Sequence, residues 1–363
     1  MSLSTEIDER HPASPTSETR KDTTSIVTID SAKHLPDVWD RLAVHNIYLR
    51  KAILQVIESA HHYRQKYHIL SNPEPDCIFV TYESPKNTAA EFRDRLCPSH
   101  RVIGIPCTVS KCGYQTGEKT REAFWQFVSN MRGLKIVVHS DEKKAQNKFL
   151  KIPSLPSFRI EVRWGSFNEY LRCMRSHYRY RLNKALRACR SIKVIPLADS
   201  SLFDADLYSL YDQVYRRSRF RREKAKLELF RTLPVETMKF EYRGKAIGFV
   251  QTLSNGKELL FFKGGMDYSF ESSADLYLMM LLEIIKKGLS KGYKSIDLGQ
   301  TAGEAKMRVG ARPNPLHHYV NHSNRIIHHG MNPFLRFVRP RKIRMVDHRI
   351  FKAERENDPV QTV

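Results

Sequence analysis
The 363-residue chain lacks several features that would fix its class at once. No stretch approaches the roughly 20 apolar residues of a membrane span. The most apolar segment, Leu276 to Ile285, is ten residues long and contains Glu283. Residues 1–30 are rich in Ser, Thr, Pro and Glu but lack the positive start and apolar run of a secretory leader, so they read as a disordered tail. Cysteines are few, at 77, 97, 107, 112, 173 and 189. Without paired Cys or His spacing they argue against zinc and for reduced thiols in a soluble, cytoplasmic protein. Neither a Ser nucleophile elbow nor a Cys/His arrangement is present, so a covalent acyl-enzyme has no support. Acidic residues are also scarce: 39 Asp and Glu against 61 Lys and Arg leave a net charge of +22. That excess favours polyanionic partners, namely RNA, acidic lipid head groups or a phosphorylated cofactor.

What is present is the patterning of a two-module α/β protein. The expected organisation is a tail at 1–30, a first module at 31–155, a second at 156–325 and a basic tail at 326–363. The boundary falls at the Pro-rich link Ile152-Pro153-Ser154-Leu155-Pro156. In the first half Leu49, Ile53, Val56, Ile57 and Ala60 share one helical face, Cys77 to Glu83 and Leu134 to His139 are strand-like, and 118–132 looks helical. Val102 to Ser110 is β-prone, but Pro106 argues against a central strand there. In the second half Ser166 and Glu169 form a capping-box pattern that opens a basic amphipathic helix of about 25 residues. A second helix from Asp204 to about Arg217 suits an antiparallel pairing with it. Three strands follow, Met238 to Tyr242, Ala246 to Leu253 and Glu258 to Gly265, joined by Arg243-Gly244 and Ser254-Asn255-Gly256 turns. An apolar helix from Ala274 to Leu289, too continuous to be half exposed, precedes a short strand at Lys294 to Leu298. That strand would deliver Asp297, Gly299, Gln300 and Thr301 to a sheet edge, where ligands of helix-covered sheets commonly sit.

Three strings carry a family likeness. DLGQTAGEAKMRVGAR (Asp297 to Arg312), MRSHYRYRLNKALR (Met174 to Arg187) and the weaker RVIGIPCTVSKCGY (Arg101 to Tyr114) resemble GNAT-like acyltransferases of the Fem-type and peptidoglycan biosynthesis/recognition kind. The resemblance implies an α/β (α+β) fold: a GNAT-like mixed sheet flanked by helices, in two GNAT-like modules. It further implies an N-acyltransferase in which an amine directly attacks the carbonyl of an acyl-CoA or aminoacyl-tRNA donor. A basic residue after the last core strand is associated with the acceptor or the developing charge in such enzymes, and that role passes to Lys306.

The remaining candidates follow from what amine acylation needs: a proton acceptor, a charge stabiliser and donor-binding groups. Asp297 and Asp267, each at a strand end, are the candidate proton acceptors. Gln300 and Thr301 suit substrate orientation, and Arg308 and Arg179 suit donor or acceptor phosphates. Tyr319, beside His317 and His318, suits protonation of a leaving thiolate. The loop before the apolar helix, Tyr268 to Tyr277, has no glycine to cradle a pyrophosphate and places Asp275 near it, which weighs against acyl-CoA. Basic clusters at Arg172 to Lys193 and Arg216 to Lys226 could instead track a tRNA backbone. No metal is expected. The segment Phe334 to Phe351 alternates basic and apolar residues, as in an arm docked on its own domain or one adsorbed to an anionic membrane, which would place the protein at the inner face. The competing class is a non-catalytic GNAT-like scaffold that holds RNA or an anionic membrane through its basic surface.

Overall fold
The computed structural model describes residues 24–84, 99–108, 110–140, 142, 148–218, 224–337 and 349–352. The chain opens with β1 (Ser25–Ile29), α1 (Asp37–Leu42), α2 (Lys51–Ala60), β2 (Gln65–Ser71), β3 (Pro75–Ser84), β4 (His100–Ile103) and β5 (Tyr114–Thr116). Then come α3 (Arg121–Asn130), β6 (Leu134–Ser140), β7 (Leu150–Pro153), β8 (Ser157–Glu161), α4 (Phe167–Cys173), α5 (Ser176–Ala188), β9 (Lys193–Pro196), α6 (Ala205–Arg217) and α7 (Leu227–Thr232). The last part holds β10 (Glu236–Tyr242), β11 (Lys245–Asn255), β12 (Glu258–Met266), α8 (Ser273–Ser290), β13 (Ser295–Asp297), α9 (Gly303–Arg308), β14 (Arg312–Asn314), β15 (His317–His322) and α10 (Arg325–Phe337).

These strands form two mixed sheets flanked by helices. The second sheet runs β14-β8-β13-β12-β11-β10-β9, all neighbours antiparallel except β12 and β13. Its two faces are sealed differently. On one, Leu276, Met280, Leu281 and Ile284 of α8 pack with Leu182 and Ala185 of α5 against Ile160, Val250, Leu259 and Ile296. On the other, Phe203, Leu207 of α6 and Phe230 of α7 meet Phe249, Leu260 and Phe262, together with Trp39, Tyr48, Ile53 and Ile57 from the first half. One core therefore belongs to both halves of the chain.

The first sheet runs β1-β2-β3-β4-β6-β15-β7, with β5 beside β3. Strand β15, although it lies within 156–325, joins this first sheet between β6 and β7. The chain thus returns to the first sheet after finishing the second. Strand β4 lies between β3 and β6 and ends at Ile103, so Pro106 falls outside it and does not bar a central position.

Three expectations need correction. The long basic helix is two helices: α4 stops at Cys173, Met174 and Arg175 are extended, and α5 starts at Ser176. No Pro or Gly marks this break; a distant segment causes it. Met174 bridges to Phe351, the Arg175 amide donates to the Ile350 carbonyl at 2.9 Å, and the Lys352 amide donates to Cys173 at 2.9 Å. The expected helical pair is also absent, because α5 packs with α8 while α6 covers the opposite face of the sheet. Finally, β13 is not an edge strand but is enclosed by β12 and β8. Of the segment Phe334 to Phe351, residues up to 337 continue α10, 349–351 dock at the α4–α5 break, and 338–348 lie outside the described residues. Among the described residues no helix is long and apolar enough to cross a membrane.

Candidate functional site
Strands β12 and β13 run parallel, but they pair only over Glu258–Leu260 with Ser295–Asp297. Strand β12 continues to Met266, whereas the segment that follows β13 stays with β8: the Leu298 amide donates to the Phe158 carbonyl at 2.8 Å and the Phe158 amide to the Gly299 carbonyl at 3.0 Å. The two strands therefore part immediately after Asp297, and from Phe261 onward β12 has no strand partner on that side among the described residues. Helix α9 crosses this parting. It is entered through Ala302 in the left-handed conformation (φ 56°), and Gly303 follows because a Cβ there would stand 2.3 Å from the Phe158 ring. Glycine is thus what lets α9 lie on the β8 aromatic.

The geometry brings Lys306 inward. Its side chain is 2 % exposed, and Nζ lies 5.9 Å from the ring centroids of both Phe158 and Phe261, the strands flanking β13. Among the described residues its ammonium has no hydrogen-bond partner. Burial drives its pKa down to about 7, against the opposing pull of the Asp297 charge. A lysine in this state can carry a positive charge toward an oxyanion and can also exchange a proton near neutral pH.

Asp297 is equally buried, and each of its oxygens has a donor: Ser110 Oγ at 2.8 Å on Oδ2 and the Gly299 amide at 2.7 Å on Oδ1. Burial raises its pKa, while those two donors and the Lys111 charge pull it down and Glu258 pushes it up. Glu258 in turn accepts from Lys111 Nζ at 2.6 Å and Asn255 Nδ2 at 3.1 Å and ion-pairs with Arg159 at 3.2 Å. Gln300, also buried, donates Nε2 to the Leu155 carbonyl at 2.7 Å and lies 3.3 Å from His139 Nδ1, whose backbone amide donates to His318 Nδ1. Ser110, Lys111 and His139 all come from the first half of the chain. They were not among the sequence candidates, because they stand 187, 147 and 161 residues, respectively, from the partners they touch. Ser110 (φ 58°) and His139 (φ 57°) also hold the left-handed backbone that non-glycine residues seldom adopt.

The other candidates lie elsewhere. Asp297 registers with Leu260, and Asp267 follows β12 seven residues farther on, roughly 20 Å away at ~3.3 Å per residue, so the two carboxylates do not flank one cleft. Asp267 organises the turn into α8, accepting from the Ser269 amide at 2.9 Å, from Ser269 Oγ at 2.6 Å and from Lys245 at 3.1 Å, and these bonds hold its carboxyl below the usual range. In that turn Ser272 makes no side-chain cap on α8, and Arg217 stacks 4.2 Å over Tyr268. Tyr319 is fully buried in the first sheet, its ring edge-on to Trp125 at 5.2 Å and its hydroxyl donating to the Glu142 carbonyl at 2.7 Å; its place is the core. Arg308 pairs with Glu304 on the outer side of α9. Arg179 donates to the Arg172 carbonyl at 3.3 Å and closes the end of α4, and Thr301 is exposed. Among the described residues no three His, Cys, Asp or Glu side chains converge to hold a metal.

Residues 174–307 match the family model described as an acetyltransferase (GNAT) domain. That stretch runs from the α4–α5 break to Met307 within α9, and so contains Lys306, Asp297 and the parted strands. No curated protein sequence matches the chain. Among solved structures the chain resembles FemX, with a TM-score of 0.50 at 8 % identity over 76 % of this chain and 92 % of that one. It also resembles the C-terminal domain of a putative lysylphosphatidylglycerol synthetase from Agrobacterium fabrum (TM-score 0.48, 11 % identity, covering 85 % and 98 %). A tandem GNAT protein from the clavulanic acid biosynthesis pathway gives a TM-score of 0.47 at 9 % identity over 83 % and 99 %. At such identities the FemX likeness concerns the fold alone.

Proposed function
We propose that the protein is an N-acyltransferase that passes an acyl or aminoacyl group to an amine by direct attack, with Lys306 and Asp297 at its centre. The observation that carries this reading is the buried residue Lys306, set between two aromatic rings where β12 and β13 part and with no hydrogen-bond partner for its ammonium among the described residues, within the stretch that matches the acetyltransferase domain. A globular core has no use for a desolvated cation without a partner, since burying one is costly. A transferase does: the donor carbonyl, lodged along the free side of β12, becomes an oxyanion when the amine adds. Lys306 meets that charge. Asp297 keeps Lys306 cationic enough to do so and serves as acceptor or relay for the proton that the amine sheds. As the C–N bond forms, the donor's C–S or C–O bond breaks, and a lysine with a pKa of about 7 can return a proton to the leaving group.

The donor is an acyl-CoA or an aminoacyl-tRNA. The turn before α8 has no glycine between Tyr268 and Tyr277 and sets Asp275 in the first helical turn, which is unfavourable for a pyrophosphate there. Exposed Arg172, Arg175, Arg181, Lys184, Arg187 and Arg190 instead give α4 and α5 a basic face suited to a phosphate backbone. The glycine-free turn also favours the second reading, a scaffold without chemistry. Native mass spectrometry and thermal shift against acetyl-CoA, longer acyl-CoAs, and charged and uncharged tRNA separate these. A charged donor that binds and loses its acyl group to an amine supports the transferase. Binding of charged and uncharged tRNA alike, without transfer and with steep salt dependence, supports the scaffold.

A further inference from the structure
We infer that Ser110, in the loop that the first half of the chain lays against the second sheet, is a positioning residue of the transfer site, holding the Asp297 carboxylate in place beside Lys306. This rests on the transferase reading above. Ser110 lies outside the stretch that matches the acetyltransferase domain, so the site is a composite of both halves of the chain.

The carboxylate is gripped from two directions, by Ser110 Oγ on Oδ2 and the Gly299 amide on Oδ1. Both donors sit on left-handed backbone, φ 58° at Ser110 and 77° at Gly299. Glycine adopts that conformation freely, but a serine held in it must be over-determined by its surroundings, and such residues cluster where function fixes geometry. The surroundings here do fix it. Next to Ser110, Lys111 is tied to Glu258, and the Cys112 carbonyl accepts from Asn46 Nδ2 at 2.8 Å. Behind it the loop closes on itself so tightly that a Cβ on Gly113 would lie 2.3 Å from the Gly104 Cα. The hydroxyl therefore arrives at Asp297 on a braced loop. The ionisable groups facing Asp297 are Lys306 and Lys111, which favour its charge, and Glu258 and Tyr48, of which Glu258 opposes it. Removing the hydroxyl leaves one buried carboxylate oxygen without its donor and tips that balance toward the protonated acid.

The test is carboxyl-carbon NMR of the full chain labelled in aspartate, with the Asp297 resonance assigned by its loss in Asp297→Asn. Ser110→Ala removes the hydroxyl, and Ser110→Gly removes it while relieving the backbone, so at least one variant keeps the loop folded. In both the Asp297 midpoint should rise by about one pH unit or more, the usual consequence of losing a hydrogen bond to a charged group. The pH dependence of transfer should move with it. An unchanged Asp297 titration in a folded Ser110→Gly protein overturns the proposal. A shifted titration in a protein whose wild type acylates no amine leaves the hold of Ser110 on Asp297 standing and overturns the transferase reading instead.

Discussion
Replacing Lys306 by methionine keeps the length of the side chain but removes a charge that the fold has taken out of water. Burial pushes the Lys306 pKa down to about 7 from the ordinary lysine value of 10.5, with the Asp297 charge pulling the other way. The sign follows from linkage: between those two pH values the unfolded chain binds more protons, so this lysine weakens the fold most below about 7 and progressively less as the pH rises toward 10.5. At ~1.4 kcal/mol per pKa unit the penalty is on the order of 4–5 kcal/mol at pH 6–7 and about 2 kcal/mol at pH 9. Lys306→Met should therefore be more stable than wild type in urea, by several kcal/mol at pH 6 and by visibly less at pH 9. Over the same range it should lose transfer activity by more than tenfold. A stabilising change that inactivates is the mark of a residue kept for function against the interest of the fold. If the variant is less stable, or its gain does not change with pH, then Lys306 is not a desolvated cation and the argument for the site fails.

Asp297 supplies the attraction that holds the Lys306 pKa up, so Asp297→Asn should lower the Lys306 midpoint further, read as faster amine-selective modification of Lys306 at pH 7; unchanged modification would separate the two residues. Asp267→Asn and Tyr319→Phe should leave transfer within about twofold and cost about 1 kcal/mol each through lost hydrogen bonds. For Asp267, whose pKa is lowered in the fold, the stabilisation is present above its unfolded value near 3.8 and is lost as the pH falls through the folded one. A tenfold fall in rate for either variant would restore it to the site. Phe351→Ala should cost about 2 kcal/mol, because its ring packs 4.6 Å from Trp164 and lies over Gly310, just beyond α9; no change in the urea midpoint would mean the 349–352 segment does not brace that loop.

Local pattern made much of the second sheet legible. The β10–β11–β12 meander, α8 and β13 all follow from period-2 runs, turn glycines at 244 and 256, and one apolar helix. Asp297 and Lys306 were legible as candidates for the same reason: one ends β13 and the other lies in the short helix that follows it. What sequence could not carry was long-range pairing. The α4–α5 break exists because Ile350 and Lys352 take up backbone bonds, β15 crosses to the first sheet, and Ser110 and His139 reach their partners only after both halves have folded together. Asp267 shows a second limit of local pattern. A strand-end carboxylate looks the same in sequence whether it faces a site or ties a turn, and only the parallel register of β12 with β13 tells the two apart.

The most direct measurement is single-turnover transfer from thioester and ester donors to a panel of primary amines, followed by mass spectrometry, with wild type and Lys306→Met side by side. Amide formation by wild type that falls by more than tenfold in the folded variant is the predicted result. Equal amide formation by both proteins, or none from any donor that wild type binds, would contradict it.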